Sequence, residues 1–142
     1  MNSPAFEIRE MCMTDYDEVF SLWQRTDNIG LSEGDSRENI EAYLVRNPGM
    51  SLIARRQDEI VGAILAGHDG RRGYLHHLAV STALRKQGLG RKLVDKCLSR
   101  LQSQGIQKCH ILLLQQNTAG QEFWTRAGWA LRTDLKVMSR ST

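Results

Sequence analysis

Four cations and two glycines lie between an apolar run and an apolar-periodic run in the stretch VSTALRKQGLGRKLV, residues 80–94. They are Arg85, Lys86, Arg91 and Lys92, with Gly88 and Gly90 between them. A helix N-terminus has unpaired N–H groups and a partial positive charge, and glycines let a ligand approach the backbone closely. The stretch therefore predicts a phosphate or pyrophosphate bound at residues 85–91. A solvated helix start with a glycine turn is the alternative.

Spacing excludes two common nucleotide-binding loops. A Walker A loop needs Ser or Thr directly after Gly-Lys, whereas Gly90 is followed by Arg91, Lys92 and Leu93. A dinucleotide fingerprint needs a third glycine where Leu93 stands, and it belongs near the first strand of its domain. The predicted anion site is therefore neither a P-loop nor a Rossmann loop.

The elements that must position this loop are predicted from apolar periodicity, caps and turn residues. They are a strand at 6–11, helices beginning near 14 and 36, a hairpin of 51–56 with 60–67, a strand at 74–80, a helix at 87–104, a strand at 110–115, a helix at 118–127 and a strand or hairpin at 129–138. The segments 74–80, 87–104 and 110–115 form a βαβ unit, whose two strands should be parallel. The hairpin makes the sheet mixed, so we predict an α/β (α+β) fold with a mostly antiparallel sheet.

Length and composition narrow the function classes. A chain of 142 residues favours one domain, 1–142. The net charge of +3 permits an acidic ligand, but the cations of 85–96 have no interleaved aromatics to stack on bases, so no nucleic-acid partner is expected. Cys12, Cys97 and Cys109 are widely separated, which favours reduced thiols and a cytoplasmic location. No apolar stretch has the roughly 18 residues of a membrane span, so no membrane partner is expected.

Two segments, LAV followed by RKQGLG within 78–90 and NTAGQEFWTRAGW at 117–129, each match a known motif, and together they resemble the GNAT superfamily of acyl-CoA-dependent N-acyltransferases. Leu78-Ala79-Val80 is followed by RKQGLG, residues 85–90, which is similar to the family pattern Arg/Gln-x-x-Gly-x-Gly/Ala after a Leu-Ala-Val strand. NTAGQEFWTRAGW, residues 117–129, resembles Asn-x-x-Ala-x-x-Phe-Tyr-x-x-x-Gly-Phe. The order of the predicted elements also matches, so the resemblance covers most of the chain.

This resemblance implies a single-domain GNAT-like fold in which strands 74–80 and 110–115 splay apart. It implies acetyl-CoA as co-substrate and direct transfer in a ternary complex to a primary amine of a small molecule or a protein. No metal is expected, because neighbouring strand histidines point apart and His68 and His110 lack the spacing of helical metal ligands. Pantetheine would bond to the backbone of Leu78 and Val80, the pyrophosphate would rest on the amides of Lys86 to Arg91, and Asn117 and Trp124 would line the far side. The implied cofactor-binding residues are Leu78, Ala79, Val80, Arg85, Lys86, Gln87, Gly88, Leu89, Gly90, Arg91, Asn117 and Trp124.

A histidine is the natural base for such a transfer, because its pKa is near neutral. Strict strand alternation puts Tyr74, His76, Leu78 and Val80 on one face and His77 on the other; a bulge would exchange the histidines. The run LHHLAV resembles Leu-His-x-Leu-Ala-Val of arylalkylamine acetyltransferases, which use that histidine in proton removal. This favours His76, with a hydrogen-bonded structural histidine as the alternative.

The main departure from the family pattern is Trp124, which stands where the family commonly has a tyrosine that protonates the leaving thiolate; Gly120 in place of alanine is a minor one. An indole offers only a weakly acidic N–H donor, so the general acid is unassigned, and Tyr74 is a substitute candidate. The alternative function is a non-catalytic module that binds or senses acyl-CoA.

The acceptor pocket would be built in this architecture from the 12–34 region, the 68–73 loop and the chain after 129. Asp27, Glu33 and Asp35 could attract a cationic amine, and Arg71 and Arg72 could hold an anionic group, although such residues are more often solvated surface. Trp23 is expected in the core. The sequence names no acceptor and leaves a homodimer open.

Overall fold

The computed structural model describes residues 6–142. The chain forms two compact units, one ending at Leu112 and the other spanning Leu113–Thr142. In the first unit the strands are β1 (Glu7–Glu10), β2 (Leu52–Arg56), β3 (Glu59–His68), β4 (Gly73–Val80) and β5 (Cys109–Ile111), and the helices are α1 (Tyr16–Gln24), α2 (Arg37–Arg46) and α3 (Leu89–Ser103). The second unit contains α4 (Thr118–Arg126). The single domain 1–142 stays a prediction.

The five strands form one sheet in the order β1-β2-β3-β4-β5. The first three neighbouring pairs are antiparallel and β4 pairs with β5 in parallel, which confirms the predicted mixed, mostly antiparallel sheet. The parallel register runs only from Gly73↔Cys109 to Leu75↔Ile111. Because β4 continues to Val80, its last five residues extend past the end of this ladder.

Helices cover both faces of this sheet. Val19 and Trp23 of α1 share a buried core with Ala63 of β3 and Ala79 of β4. Gly62, the neighbour of Ala63, faces the opposite side, where a Cβ would meet the Leu89 and Leu93 side chains of α3 at 3.1–3.2 Å. The absence of a side chain at Gly62 thus lets the first turn of α3 pack closely against β3.

Two predicted strands differ from the structure. The strand predicted at 110–115 ends at Ile111. The strand or hairpin predicted at 129–138 is wrong, because no strand or helix follows Arg126 in the described chain. Leu131, Val137 and Met138 are 65%, 71% and 94% exposed. Apolar alternation alone does not make a strand, since a strand needs a paired neighbour to satisfy its backbone.

Candidate active site

The end of β4 has an open backbone edge. The Ser81 N–H donates to the Val61 carbonyl on β3 at 2.8 Å. Because backbone groups alternate in direction along the regular end of the strand, Ala79 also points to β3, whereas Val80 points away from it, beyond the last β5 pair. The Val80 carbonyl accepts from the Arg85 Nε at 3.4 Å. This edge can take up the amides of an extended ligand.

The start of α3 presents unpaired amides a few residues further along. Its first bond runs from the Lys92 N–H to the Gly88 carbonyl at 3.0 Å, so the N–H groups of residues 89–91 have no carbonyl within the helix to bond. Gly88 (φ +82°) and Lys86 (φ +66°) adopt left-handed backbone conformations, which turn the chain into the helix. The unpaired amides lie where the anion was predicted.

The predicted cofactor-binding residues differ in what they can offer a ligand. Arg85, Lys86, Gln87 and Arg91 have exposed side chains. Leu89 and Ala79 are each 1% exposed, so their side chains belong to the core and only their backbones remain for a ligand. A groove of about 680 Å³ lies elsewhere, along the C-terminal half of α3 and its connection to β5, residues 95–109.

A β-bulge interrupts β4 between His76 and Ala79. Ala63 pairs with Ala79, but Leu65 pairs with His76, so the register shifts between them. Ala63, Leu65 and Ala79 belong to the core beneath α1 and α2, which places His76 on that face. Val80 pairs with Gly62 and therefore lies on the α3 face. The predicted sharing of one face by His76, Leu78 and Val80 is wrong, because alternation restarts after the bulge.

The bulge brings both histidines to the face covered by α1 and α2. His77 has φ +53°, and its ring centroid lies 5.0 Å from that of Trp23 on α1. The His76 ring lies 6.2 Å from Tyr43 on α2 and stacks on Tyr74 at 6.3 Å. Trp23 is 1% exposed and so lies in the core, as predicted.

His76 has the properties of a neutral base. Burial lowers its pKa, and the nearby His77 lowers it further, against a smaller opposing effect of Asp35. A lowered pKa leaves the imidazole unprotonated near pH 7 and able to accept a proton. Tyr74 places its ring directly beside this imidazole, but the catalytic roles of both residues stay predictions.

The second unit holds the other two predicted cofactor residues. Asn117 caps α4, since its Oδ1 accepts from the Gly120 N–H at 2.8 Å. Trp124 is 8% exposed and makes edge contacts with Phe123 at 5.2 Å and Trp129 at 5.0 Å. Both side chains therefore have roles within their own unit, and their contact with a cofactor stays a prediction.

The candidate acceptor residues separate into exposed and buried groups. Asp27, Glu33 and Arg71 are exposed. Asp35 instead is buried and lies 2.8 Å from the His77 Nε2. Sequence reasoning missed this pair, because 42 residues separate its members and strict alternation turned His77 away. Among residues 6–142, no group of three His, Cys, Asp or Glu side chains could hold a metal, and no helix is long and apolar enough to span a membrane.

Comparison with known proteins identifies the family of this chain. The model of the acetyltransferase (GNAT) family matches residues 16–129. The chain belongs to the GNAT acetyltransferase family. An acetyltransferase of Pectobacterium atrosepticum is 32% identical over 113 residues, which cover 80% of this chain and 79% of the relative.

Solved structures share the GNAT fold. A GNAT-family acetyltransferase of Staphylococcus aureus has a TM-score of 0.78 at 22% identity, covering 93% of this chain and 90% of that one. The PaiA N-acetyltransferase of Thermoplasma acidophilum, solved in complex with coenzyme A, has a TM-score of 0.77 at 19% identity, covering 90% and 91%. These likenesses confirm the predicted GNAT-like fold.

Proposed function

We propose that this chain is an acetyl-CoA-dependent N-acetyltransferase that moves an acetyl group directly to a primary amine of a small molecule or a protein. The observation that supports the proposal is the edge of β4 at Val80, which leads into the unpaired amides of residues 89–91. An amide chain can bond to such an edge as an added strand, and a diphosphate suits a helix N-terminus. The structurally similar PaiA enzyme, solved with coenzyme A, supports the same ligand.

His76 is proposed as the proton acceptor in the transfer. The reaction forms a C–N bond between the amine and the acetyl carbonyl and breaks the C–S bond, while the amine proton must leave. The lowered pKa of His76 keeps its imidazole free to take that proton. Because His76 lies on the α1/α2 face, the acceptor amine would approach from that side of the sheet.

The leaving thiolate needs a proton from a source other than the usual family tyrosine. Trp124 has no hydroxyl, and Tyr74 stacks on His76 rather than extending from α4. A coenzyme A thiolate is a good leaving group, so we propose that it leaves without a dedicated acid and takes its proton from water. Replacing Tyr74 with Phe tests this, because an unchanged maximal rate would exclude its hydroxyl as the acid.

The proposed function is tested by thiol release from acetyl-CoA with a panel of primary amines, including small polyamines, amino sugars and a lysine peptide. Release that depends on both the amine and the chain supports the enzyme. Calorimetry of coenzyme A binding is measured in parallel. An absence of both binding and release overturns the proposal.

The specific observation that favours the second candidate is Trp124 in place of the family's tyrosine. That candidate is a module that binds acyl-CoA without transferring it. Tight binding of coenzyme A with no release across the amine panel would support it over the enzyme.

A further inference from the structure

The short 3-10 turn Glu33–Asp35, which precedes α2, is joined to β4 by a buried carboxylate. Asp35 Oδ1 lies 2.8 Å from His77 Nε2, and Oδ2 accepts from the Ser32 N–H at 3.0 Å. The Asp35 carbonyl accepts from the Tyr16 hydroxyl at 2.6 Å. This one residue therefore connects the turn to β4 and to α1.

The pair is largely buried. The side chains of His77 and Asp35 are 18% and 10% exposed. The His77 ring meets Trp23 edge to face at 5.0 Å, and within the described chain the Trp23 Nε1 is buried without a hydrogen-bond acceptor. A hydrogen bond to a carboxylate in such surroundings is stronger than a solvated one.

The backbone of His77 also points to a role beyond packing. Its φ of +53° lies in the left-handed region that side chains other than glycine rarely occupy. Such conformations persist where surrounding contacts enforce them, and they cluster at functional sites. His77 also lies inside the bulge next to His76, so a side chain that holds His77 in place also fixes the strand at the proposed base.

We propose that His77 and Asp35 are a positioning pair that fastens the α1–α2 connection, residues 25–36, to the β4 bulge and thereby holds the acceptor side of the site in place. The inference rests on the proposed function for its effect on turnover, but not for the anchoring itself. The pair would act on the acceptor through the segment it holds and would leave the binding of coenzyme A unchanged.

An exposed ion pair between α1 and α2 provides a control. Asp17 on α1 binds Arg37 on α2 at 2.5 Å, with side chains 84% and 52% exposed. Exposed pairs of this kind contribute little to stability. Asp17→Asn therefore weakens an exposed connection between the two helices that flank residues 25–36 without touching the buried pair.

The test uses the full chain with His77→Leu, His77→Gln and the control Asp17→Asn. Leu and Gln are both unbranched at Cβ, and a glutamine already occupies φ +58° at Gln57, so the two variants differ chiefly in the polar end that can donate to Asp35. Asp35→Asn, which keeps the shape of the carboxylate, is included in case His77→Leu does not fold.

Amide hydrogen exchange at residues 32–35 is the first measurement. Exchange is expected to be about tenfold faster in His77→Leu, because local opening sets the exchange rate. The increase should be smaller in Asp35→Asn. His77→Gln and Asp17→Asn should exchange at close to the original rate. Unchanged exchange in both His77→Leu and Asp35→Asn would overturn the anchoring, as would an equal increase in Asp17→Asn.

The second measurement separates KM from kcat. His77→Leu is expected to raise the acceptor KM about tenfold, which is the signature of lost acceptor positioning, with the Kd for coenzyme A unchanged and recovery in His77→Gln. An unchanged acceptor KM in an active variant would overturn the effect on the site. If the original chain neither binds coenzyme A nor transfers acetyl, the proposed function fails, while hydrogen exchange still decides the anchoring.

Discussion

Substitution of Gly88 by alanine tests the anion cradle, because the structure separates the two effects that such a change can have. Gly88 has φ +82°, and a Cβ built there meets no atom within 4 Å. The substitution therefore introduces no collision, and its cost comes from the left-handed backbone, about 1–2 kcal/mol for an L-residue. The unpaired amides of residues 89–91 follow directly, so a shift at residue 88 moves them.

Gly105 provides the matched control at the other end of α3. It has the same φ of +82°, and a Cβ placed there also meets no atom within 4 Å. Gly105→Ala therefore carries a similar strain but lies beyond the helix C-terminus, away from the proposed cradle. Gly105→Ala should lower the free energy of unfolding by about 1–2 kcal/mol, and Gly88→Ala by less, because residue 88 relieves part of the strain by leaving the left-handed conformation in the free chain.

The two variants should differ in their affinity for coenzyme A. If a ligand must restore the left-handed conformation at residue 88, the strain of about 1–2 kcal/mol is a factor of roughly 5–30 in Kd. Calorimetric titration of both variants measures this difference. A Kd for Gly88→Ala equal to that of Gly105→Ala would refute the assignment of this turn to the anion.

Three further predictions concern the base, the second unit and the fold. Replacing His76 with Ala should slow turnover far more than it weakens coenzyme A binding. Because the pKa of His76 is lowered, the rate of the original chain should fall on the acidic side only below the ordinary histidine pKa of about 6.5. A variant that keeps the full rate across pH would contradict the role of His76 as the base. Asn117→Ala removes the cap that the Asn117 Oδ1 makes with the Gly120 N–H, so thermal unfolding should show a loss of about 1 kcal/mol; an unchanged melting temperature would contradict this role of the cap. Burial alone would raise the pKa of Asp15, but hydrogen bonds from Arg9 and Cys12 outweigh it and lower that pKa; the stability from this carboxylate is present above its unfolded pKa of about 3.9 and is lost as pH falls through the folded value. Arg9→Met should therefore destabilise the chain by about 1–3 kcal/mol at pH 7 and by less at pH 3, as measured by urea unfolding. An equal loss of stability at both pH values would contradict this role of Asp15.

Local signals in the sequence predict most elements of the first unit. Ser36 caps α2 as expected, since its side chain accepts from the Asn39 N–H at 3.2 Å. Gln57 and Asp58 form the tight connection between β2 and β3. The parallel pairing of β4 and β5 follows from the length of the connection through α3, which is a property of the chain over a few dozen residues.

The features that the sequence does not predict depend on a single inserted residue or on distant contacts. Because of the bulge at His77, the residues beyond it lie on the face opposite to the one that strict alternation from His76 predicts. A pattern that assumes a period of two cannot locate such a bulge. The contact between Asp35 and His77 depends on how α1, the turn before α2 and β4 pack together. The tail after Arg126 has the apolar residues of a strand but no strand to pair with in its unit.

The central claim is that the amides at the start of α3 hold the diphosphate of coenzyme A. It is tested most directly by following the backbone amide resonances of residues 86–91 while the original chain is titrated with coenzyme A and, separately, with pantetheine, which lacks the diphosphate. We expect these resonances to shift with coenzyme A and to stay in place with pantetheine, which should bind more weakly at the β4 edge. Resonances that do not respond to bound coenzyme A, or that respond equally to pantetheine, would contradict the claim.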